Sequence, residues 1–179
     1  ITHWGISGPA ALKLSAAAAR VLAEKNYECD GISINWLHGM DSNGITMMLK
    51  GYAKLHSHKK LSSIYPEALN ARLWRHLLTR AGLSADARWG ELQGKGMNRL
   101  LNVLLNDTYR MTGKNRFKDE FVTCGGVALG SLRHDTLEAK SHPGLHFAGE
   151  VTDVDAVTGG FNLQAAWTMG YVAARAITA

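Results

Sequence analysis

Long apolar runs, cysteines and prolines are all scarce in this sequence of 179 residues. No apolar stretch approaches the roughly 18 residues that a membrane helix needs, and the N-terminus has no charged stretch followed by an apolar one. A cytoplasmic location is therefore expected. Two cysteines, Cys29 and Cys124, are too few and too far apart for a disulfide framework or a zinc knuckle. Both are expected to be reduced thiols.

A complete dinucleotide-binding fingerprint is also missing. The pattern G-x-G-x-x-G begins only at Gly94 and Gly96, and Arg99 stands where the third glycine belongs. This segment leads into a predicted helix without a preceding strand, contrary to the context that the fingerprint requires. The pyrophosphate and adenosine of a dinucleotide therefore have no recognisable site in this chain.

The composition that remains is that of an ordinary globular protein, with 46% hydrophobic and 20% charged residues. The net charge of +5 and the isoelectric point of about 9.3 raise the question of a nucleic-acid partner. The basic residues are scattered along the sequence, however, without an aromatic-interleaved basic stripe. Scattered charge predicts only weak attraction that salt removes, so no nucleic-acid function is expected.

Hydrophobic periodicity divides the chain into strands and helices. Strands are predicted at residues 1–5 (the end of a strand), 31–37, 108–112, 121–123, 136–140 and 145–148. Helices are predicted from Pro9 onward with Ser7 as the cap, at 45–56 after a capping turn at Asp41, at 66–81, at 97–105 and from Phe161 onward. The pattern indicates an α+β fold in which a helical subdomain, residues 62–106, packs as a separate layer between β-containing pieces.

One stretch near the C-terminus organises the chain. The apolar run at 145–148 predicts a buried strand, and Glu150 follows at its carboxyl end. An acidic loop then leads to Gly159 and Gly160, which open the last helix. A fixed carboxylate beside outward-pointing helix N–H groups suits the polar edge of a cofactor.

Three motifs in order support a family resemblance. FAGEVTDVDAVTGGFNLQAAWTMGY at residues 147–171, THWGISGPA at 2–10 and FVTCGGV at 121–127 resemble the BaiN-like family of NAD(P)/FAD-dependent oxidoreductases, the aminoacetone-oxidase-like flavoproteins. The resemblance runs essentially from end to end, but the family's N-terminal Gly-rich fingerprint is absent. The chain is thus expected to be the C-terminal portion of a longer flavoprotein.

The resemblance implies FAD as the cofactor of the parent protein. Glu150 corresponds to a carboxylate that accepts a hydrogen bond from the ribityl chain of FAD. Gly159, Gly160, Phe161 and Asn162 supply a helix N-terminus that suits the pyrimidine carbonyl of the flavin. The parent would act on a small-molecule substrate and use NAD(P)H or an amine-type donor. No side chain presents itself as a catalytic acid, base or nucleophile, and the family is not metal-dependent.

The resemblance also assigns roles to parts of the chain. Residues 1–61 and 107–142 would form an inserted substrate-side α+β domain, 62–106 its helical subdomain, and 143–179 the returning segment of the FAD-binding domain. The isolated chain is expected to be colourless and inactive because most of the cofactor would lie in water. It is also expected to self-associate through Ala166, Gly170 and Ala174 on the last helix.

Other interpretations stay open. One is a noncatalytic structural or interaction domain. Another is a basic nucleic-acid-binding module centred on Arg72, Arg75, His76, Arg80, Arg88, Lys95 and Arg99, although amphipathic helices with solvated faces would produce the same pattern. A metal cluster of Glu150, Asp153 and Asp155 is disfavoured because its spacing matches no calcium loop. Cys124 lacks the accompanying His and Asp pattern of a nucleophile.

Overall fold

The computed structural model describes residues 1–2, 5–114, 122–157 and 159–178. Within these ranges the chain forms five α-helices and two β-strands. In chain order they are α1 (Pro9–Glu24), β1 (Glu28–Ile34), α2 (Ser42–Leu55), α3 (Ala71–Arg80), α4 (Gly94–Asn106), β2 (Asp107–Thr112) and α5 (Phe161–Thr178). The mixture agrees with the predicted α+β class, and each predicted helix is present with shifted bounds.

The chain folds as two compact units. Residues 29–111 form one, which we call the central unit, and residues 1–28 with 112–179 form the other, the flanking unit. These boundaries differ from the predicted ones at 62 and 107. The prediction of a separate helical layer at 62–106 is corrected by the structure. The leucines of this segment pack in one core with Leu37, Ile45 and Leu49, which precede it.

A single apolar core holds the central unit together. Leu37, Ile45 and Leu49 pack with residues of α3 and α4 because α2 and α4 each turn an apolar face toward the same interior. The rings of Trp74 and Trp89 lie stacked at its centre, 6.2 Å apart. Their indole N–H groups donate to backbone carbonyls of the connecting loop, at Leu61 and Ile64 respectively. The loop before α3 is thereby fixed to the core.

Asp107, at the start of β2, is the buried carboxylate of the central unit. Its two oxygens accept hydrogen bonds from Arg80 Nη2 (2.6 Å) and Nε (3.0 Å), from Trp36 Nε1 (3.0 Å) and from Tyr109 Oη (2.6 Å). Four donors satisfy a charge that would otherwise be costly to bury. This network ties the end of α3 to β2 and to Trp36, which follows β1.

Strands β1 and β2 pair as the only sheet of the described residues. Trp36 N–H donates to the carbonyl of Leu104, and a Cβ added at Gly31 would lie 3.5 Å from Thr108 Cγ2. Residue numbers therefore rise on one partner as they fall on the other, which makes the pair antiparallel. The predicted strands at 31–37 and 108–112 are confirmed with small shifts.

The flanking unit has fewer buried side chains. All sixteen residues of α1 are described and none is buried, and on α5 only Ala173 is fully buried among its described side chains. Leu132, Leu137, Ala139 and Thr152 form the small interior of the irregular segment between them. Helix α5 packs on a single 3-10 turn at Gly149–Val151.

The remaining predicted strands are wrong. Residues 136–140 and 145–148 contain only isolated bridges, Leu132 with Ala139 and Glu138 with His146, and Leu145 is 46% exposed. Positive φ angles at Leu137 and Gly144 turn the backbone too often for a continuous ladder. Val122 and Thr123 are not in a strand, and Phe121 lies outside the described residues.

The helix starts test the predicted caps. Asp41 caps α2 as expected, since its carboxylate accepts from Gly44 N–H at 2.7 Å. Pro9 begins α1, but Gly8 occupies the cap position there without a side-chain bond, so Ser7 is not the cap. The predicted end of a strand at 1–5 is also wrong: Thr2 N–H donates to the carbonyl of Gly5 in a turn, and His3 and Trp4 lie outside the described residues.

Candidate functional site

Glu150 projects from the tight turn at Gly149–Val151, in the flanking unit. Gly149 adopts a φ of 80°, a conformation that favours glycine, and its carbonyl accepts from both the N–H and the Oγ1 of Thr152 at 3.0 and 2.7 Å. The Glu150 side chain is exposed, and its Oε1 accepts from Thr123 N–H at 3.1 Å. In the described part of the chain its other oxygen, Oε2, has no hydrogen-bond partner. The turn thus presents a positioned acceptor.

The glycine pair of the predicted FVTCGGV motif sits directly against this turn. Val127 N–H donates to the carbonyl of Val151 at 2.8 Å, and Asp153 N–H donates to the carbonyl of Val127 at 2.9 Å. A Cβ at Gly126 would lie 2.5 Å from the Val151 oxygen. Only glycine permits this approach at position 126, whereas a Cβ at Gly125 would meet nothing within 4 Å among the described residues.

The N-terminus of α5 adjoins the Glu150 turn. Gly159 and Gly160 both have positive φ, 138° and 93°, and Gln164 N–H donates to the Gly160 carbonyl, which closes the first helical turn. The preceding N–H groups of a helix have no intrahelical acceptors. They are available to a ligand, with the partial positive charge of the helix end behind them.

Asn162 holds the acidic loop onto this helix. Its Oδ1 accepts from Ala156 N–H at 2.8 Å, and its Nδ2 donates to the Ala156 carbonyl at 3.0 Å. Because both ends of the carboxamide are engaged with Ala156, the side chain of Asn162 is fixed on the loop, and its backbone N–H lies at the helix N-terminus. The ring of Phe161 is 63% exposed and lies beside Gly159.

Two concave regions border these residues. One of about 160 Å³ is lined by Glu150, Asn162 and apolar side chains of α5 and Val122. A larger one, of about 670 Å³, is lined by residues from α1, the motif segment and the acidic loop: Lys13, Ala16, Ala17, Arg20, Val21, Cys124, Asp155 and Val157. The first is far too small to enclose a dinucleotide, and both are open enough to receive part of a longer ligand.

An ion pair fixes the acidic loop on its other side. Arg20 Nη2 donates to both carboxylate oxygens of Asp153, at 2.6 and 2.8 Å. The hydrogen bond to Asp153, with a smaller contribution from Cys124, raises the pKa of Arg20. Asp153 is thereby occupied, and the residues that the structure describes contain no group of three ligands spaced to hold a metal.

The site residues fit the flavin end of FAD on the chemistry of their donors and acceptors. Glu150 supplies an acceptor for hydroxyl groups, and the α5 N-terminus supplies N–H donors for a carbonyl that gains negative charge on reduction. The glycines at 149, 159 and 160 leave the backbone uncovered, and Thr158 lies outside the described residues. Among the described residues no comparable set of donors suggests a place for the pyrophosphate.

Comparison with known proteins decides the family. The profile described as the HI0933-like protein Rossmann domain matches residues 8–176 of this chain. The chain belongs to the HI0933-like family. The BaiN-like flavoprotein resemblance is confirmed by this match and by the relatives that follow.

Three relatives resemble this HI0933-like chain along nearly its whole length. Ribosomal RNA dihydrouridine synthase of Escherichia coli is 31% identical over 99% of this chain and 42% of that protein. The 3-dehydro-bile acid delta(4,6)-reductase of Clostridium scindens is 31% identical over 98% of this chain and 42% of that protein. Ribosomal RNA dihydrouridine synthase of Haemophilus influenzae is 28% identical over 99% and 41%. This chain therefore spans about two fifths of their length.

The structure brings residues from distant segments into contact around the Glu150 turn. Glu150 and the α5 N-terminus are neighbours, as predicted, but Arg20 and the backbone N–H of Thr123 escaped sequence reasoning. Arg20 meets Asp153 across 133 positions, and no local pattern signals such a pairing. No helix of the described residues is long and apolar enough to cross a membrane.

Proposed function

We propose that this chain is the flavin-facing C-terminal part of an FAD-dependent oxidoreductase. The observation that carries the proposal is the juxtaposition of the Glu150 carboxylate and the open N-terminus of α5, with Gly149, Gly159 and Gly160 in positive-φ conformations. Glu150 would accept from the ribityl hydroxyls. The backbone N–H groups at Phe161 and Asn162 would face the pyrimidine carbonyl.

The supporting structure explains why these two groups stay in place. The Asn162 carboxamide and the Arg20–Asp153 ion pair hold residues 153–156 from opposite sides. The backbone pairing of Val127 with Val151 and Asp153 holds the turn that carries Glu150. A site supported in this way orients a bound ring without needing a catalytic side chain of its own.

The relatives indicate the reaction class. A dihydrouridine synthase and a delta(4,6)-reductase are both named for adding hydrogen across a carbon–carbon double bond. FAD, when bound, supplies two-electron hydride chemistry for such a reaction. We propose the same class for the parent of this chain, with NAD(P)H as the reductant and a proton as the second hydrogen. The predicted substrate-side role of residues 1–61 and 107–142 belongs to this proposal.

Two substrate classes are consistent with these names. One is a small molecule with a carbon–carbon double bond, which is compatible with the small-molecule substrate that the sequence predicts. The other is a uracil base within RNA, which is the substrate that the name of two of the relatives states. The distribution of charge over the chain favours the second.

Binding of flavins to the 179-residue chain tests the proposed site. If the contacts are confined to the flavin end, riboflavin and FAD bind with dissociation constants within about threefold, because the pyrophosphate and adenosine gain nothing. Fluorescence anisotropy of each flavin, titrated with the chain, measures both constants. Glu150→Gln removes a charged acceptor while keeping the bond from Thr123 N–H, and it weakens both flavins about tenfold.

Asp135→Asn is the matched control, since Asp135 is an exposed carboxylate of the same unit with no partner among the described residues. This variant leaves both dissociation constants unchanged. FAD binding that is tenfold tighter than riboflavin binding, or a yellow monomer with stoichiometric FAD as purified, contradicts the proposal. So does flavin binding that ignores Glu150→Gln.

A further inference from the structure

The entire excess of positive charge lies in the central unit. Residues 29–111 carry eleven Lys and Arg against six Asp and Glu, whereas the flanking unit carries nine of each. The net charge of +5 is therefore concentrated in 83 residues, and the other 96 are neutral. The sequence alone did not show this, because the two ends of the flanking unit are far apart along the chain.

Helix α3 presents the densest part of this charge. Trp74, Leu77 and Leu78 are fully buried in the core, so the opposite side of the helix faces water. That side carries Arg72, Arg75 and His76, which we call the α3 basic face; all three are exposed. Residues three and four apart lie on one side of a helix. The buried tryptophan and leucines thus hold three basic groups on a rigid platform.

Two acidic residues of the central unit are held in ion pairs, and a third accepts from a backbone N–H. Asp107 is buried beneath Arg80, Asp86 pairs with Lys60 at 2.7 Å, and Glu91 accepts from Arg88 N–H at 3.1 Å. Lys60, and to a smaller extent Arg75, lower the pKa of Asp86. Among the described residues no ion pair involves Arg72, Arg75 or His76, although Asp86 also attracts Arg75.

An aromatic ring borders the same face. The Tyr109 hydroxyl lies 3.2 Å from His76 Nε2 and donates to Asp107 at 2.6 Å, and the Arg80 guanidinium lies 4.8 Å from the centre of the Tyr109 ring. A half-buried tyrosine fixed in this way offers a stacking surface next to cations. One face of the ring is covered by Arg80, so a base would stack on the other face. Basic groups combined with an accessible aromatic ring are typical of surfaces that bind unpaired nucleotides.

We propose that the α3 basic face is an RNA-binding surface, in which Arg72 and Arg75 contact phosphates and Tyr109 stacks on a base. This inference deepens the proposed function by naming the partner class. Its basis is the charge distribution. From the sequence alone no nucleic-acid partner is expected, because the basic residues are scattered along the chain, but the net positive charge is concentrated in the central unit. The role of Arg99 differs, since its Nε donates to the Ala81 carbonyl at the end of α3.

Anisotropy of a fluorescein-labelled RNA hairpin of about 24 nucleotides with uridines in its loop tests the surface, using the 179-residue chain without flavin. We expect a submicromolar dissociation constant at 150 mM KCl, below the range of about 10⁻⁴–10⁻⁶ M that is usual for nonspecific binding. The double variant Arg72→Gln with Arg75→Gln weakens binding at least tenfold. It also reduces the slope of log K against log salt by about 1.4–1.8, the value for two lost phosphate contacts.

The control is Lys25→Gln with Arg175→Gln, which removes the same charge from exposed positions of the flanking unit. It leaves the affinity and the salt slope unchanged, and circular dichroism verifies that both double variants are folded. Equal losses in the two double variants overturn the proposal, because they show attraction to net charge alone. Micromolar or weaker wild-type binding, or equal competition by polyaspartate, overturns it as well. Because no flavin is present, this result and the riboflavin result can fail separately.

Discussion

Replacing Asp107 by Asn tests whether the buried carboxylate organises the central unit. The carboxylate accepts four hydrogen bonds, and its side chain is 1% exposed. Trp36 and Tyr109 donate to one carboxylate oxygen and Arg80 to the other, so the N–H₂ group of Asn would face donors in either orientation, and Arg80 would lose its counter-charge. Removing one partner of a buried pair costs about 3–5 kcal/mol.

The expected cost is lower here because water reaches one partner. The Arg80 side chain is 39% exposed, so solvent partly compensates its charge, and we expect a loss of about 2–3 kcal/mol. With a urea dependence of about 1–3 kcal/mol per molar, the unfolding midpoint falls by roughly 0.7–3 M. Tryptophan fluorescence follows the transition, since Trp36, Trp74 and Trp89 all lie in the central unit.

Asp135→Asn again serves as the control, because an exposed carboxylate without a partner should change stability by less than about 0.5 kcal/mol. A midpoint for Asp107→Asn within about 0.3 M of the wild type refutes the reasoning. It would mean that the four donors find water as easily as they find the carboxylate.

Two further outcomes are expected. Burial and the bond to Asp107 raise the pKa of Tyr109 to about 12 from 10.0, so the stability of the fold holds below pH 10 and falls between pH 10 and 12. In a pH titration followed by absorbance at 295 nm, Tyr109→Phe removes the tyrosine that ionises at the highest pH. An unchanged titration refutes this assignment. Leu163, Trp167 and Tyr171 form an exposed apolar row on α5. Trp167→Ser therefore reduces self-association in light scattering, whereas Met47→Ser, also exposed, does not; equal effects contradict it.

The sequence predicted the helices well because each carries a periodic apolar face and a recognisable start. Asp41 and the leucines of α3 and α4 are examples, since capping and burial there are local properties. The short strands failed for a physical reason. An apolar run such as 145–148 fits a strand only if a neighbour completes the ladder, and here each backbone turn limits the pairing to single bridges.

The candidate site could be predicted in outline only. Glu150 and the glycines before α5 stand within one short stretch, so their proximity follows from the sequence. The supports do not: Arg20 and Thr123 reach this stretch from distant segments. Self-association through Ala166, Gly170 and Ala174 stays a prediction: Gly170 and Ala174 are exposed, whereas Ala166 lies against Gly149 and borders the Glu150 cavity.

The antiparallel pairing of β1 and β2 has a consequence for how the chain could have been assembled in evolution. The central unit leaves the flanking unit at residue 28 and returns at residue 112, at adjacent ends of paired strands about 5 Å apart. These 83 residues connect residues 28 and 112 as the loop of a β-hairpin connects its two strands. A two-residue turn could replace them without moving either end, and a different module could be inserted at the same point. The RNA-binding surface proposed for α3 could thus be gained, lost or exchanged while the Glu150 site stays intact.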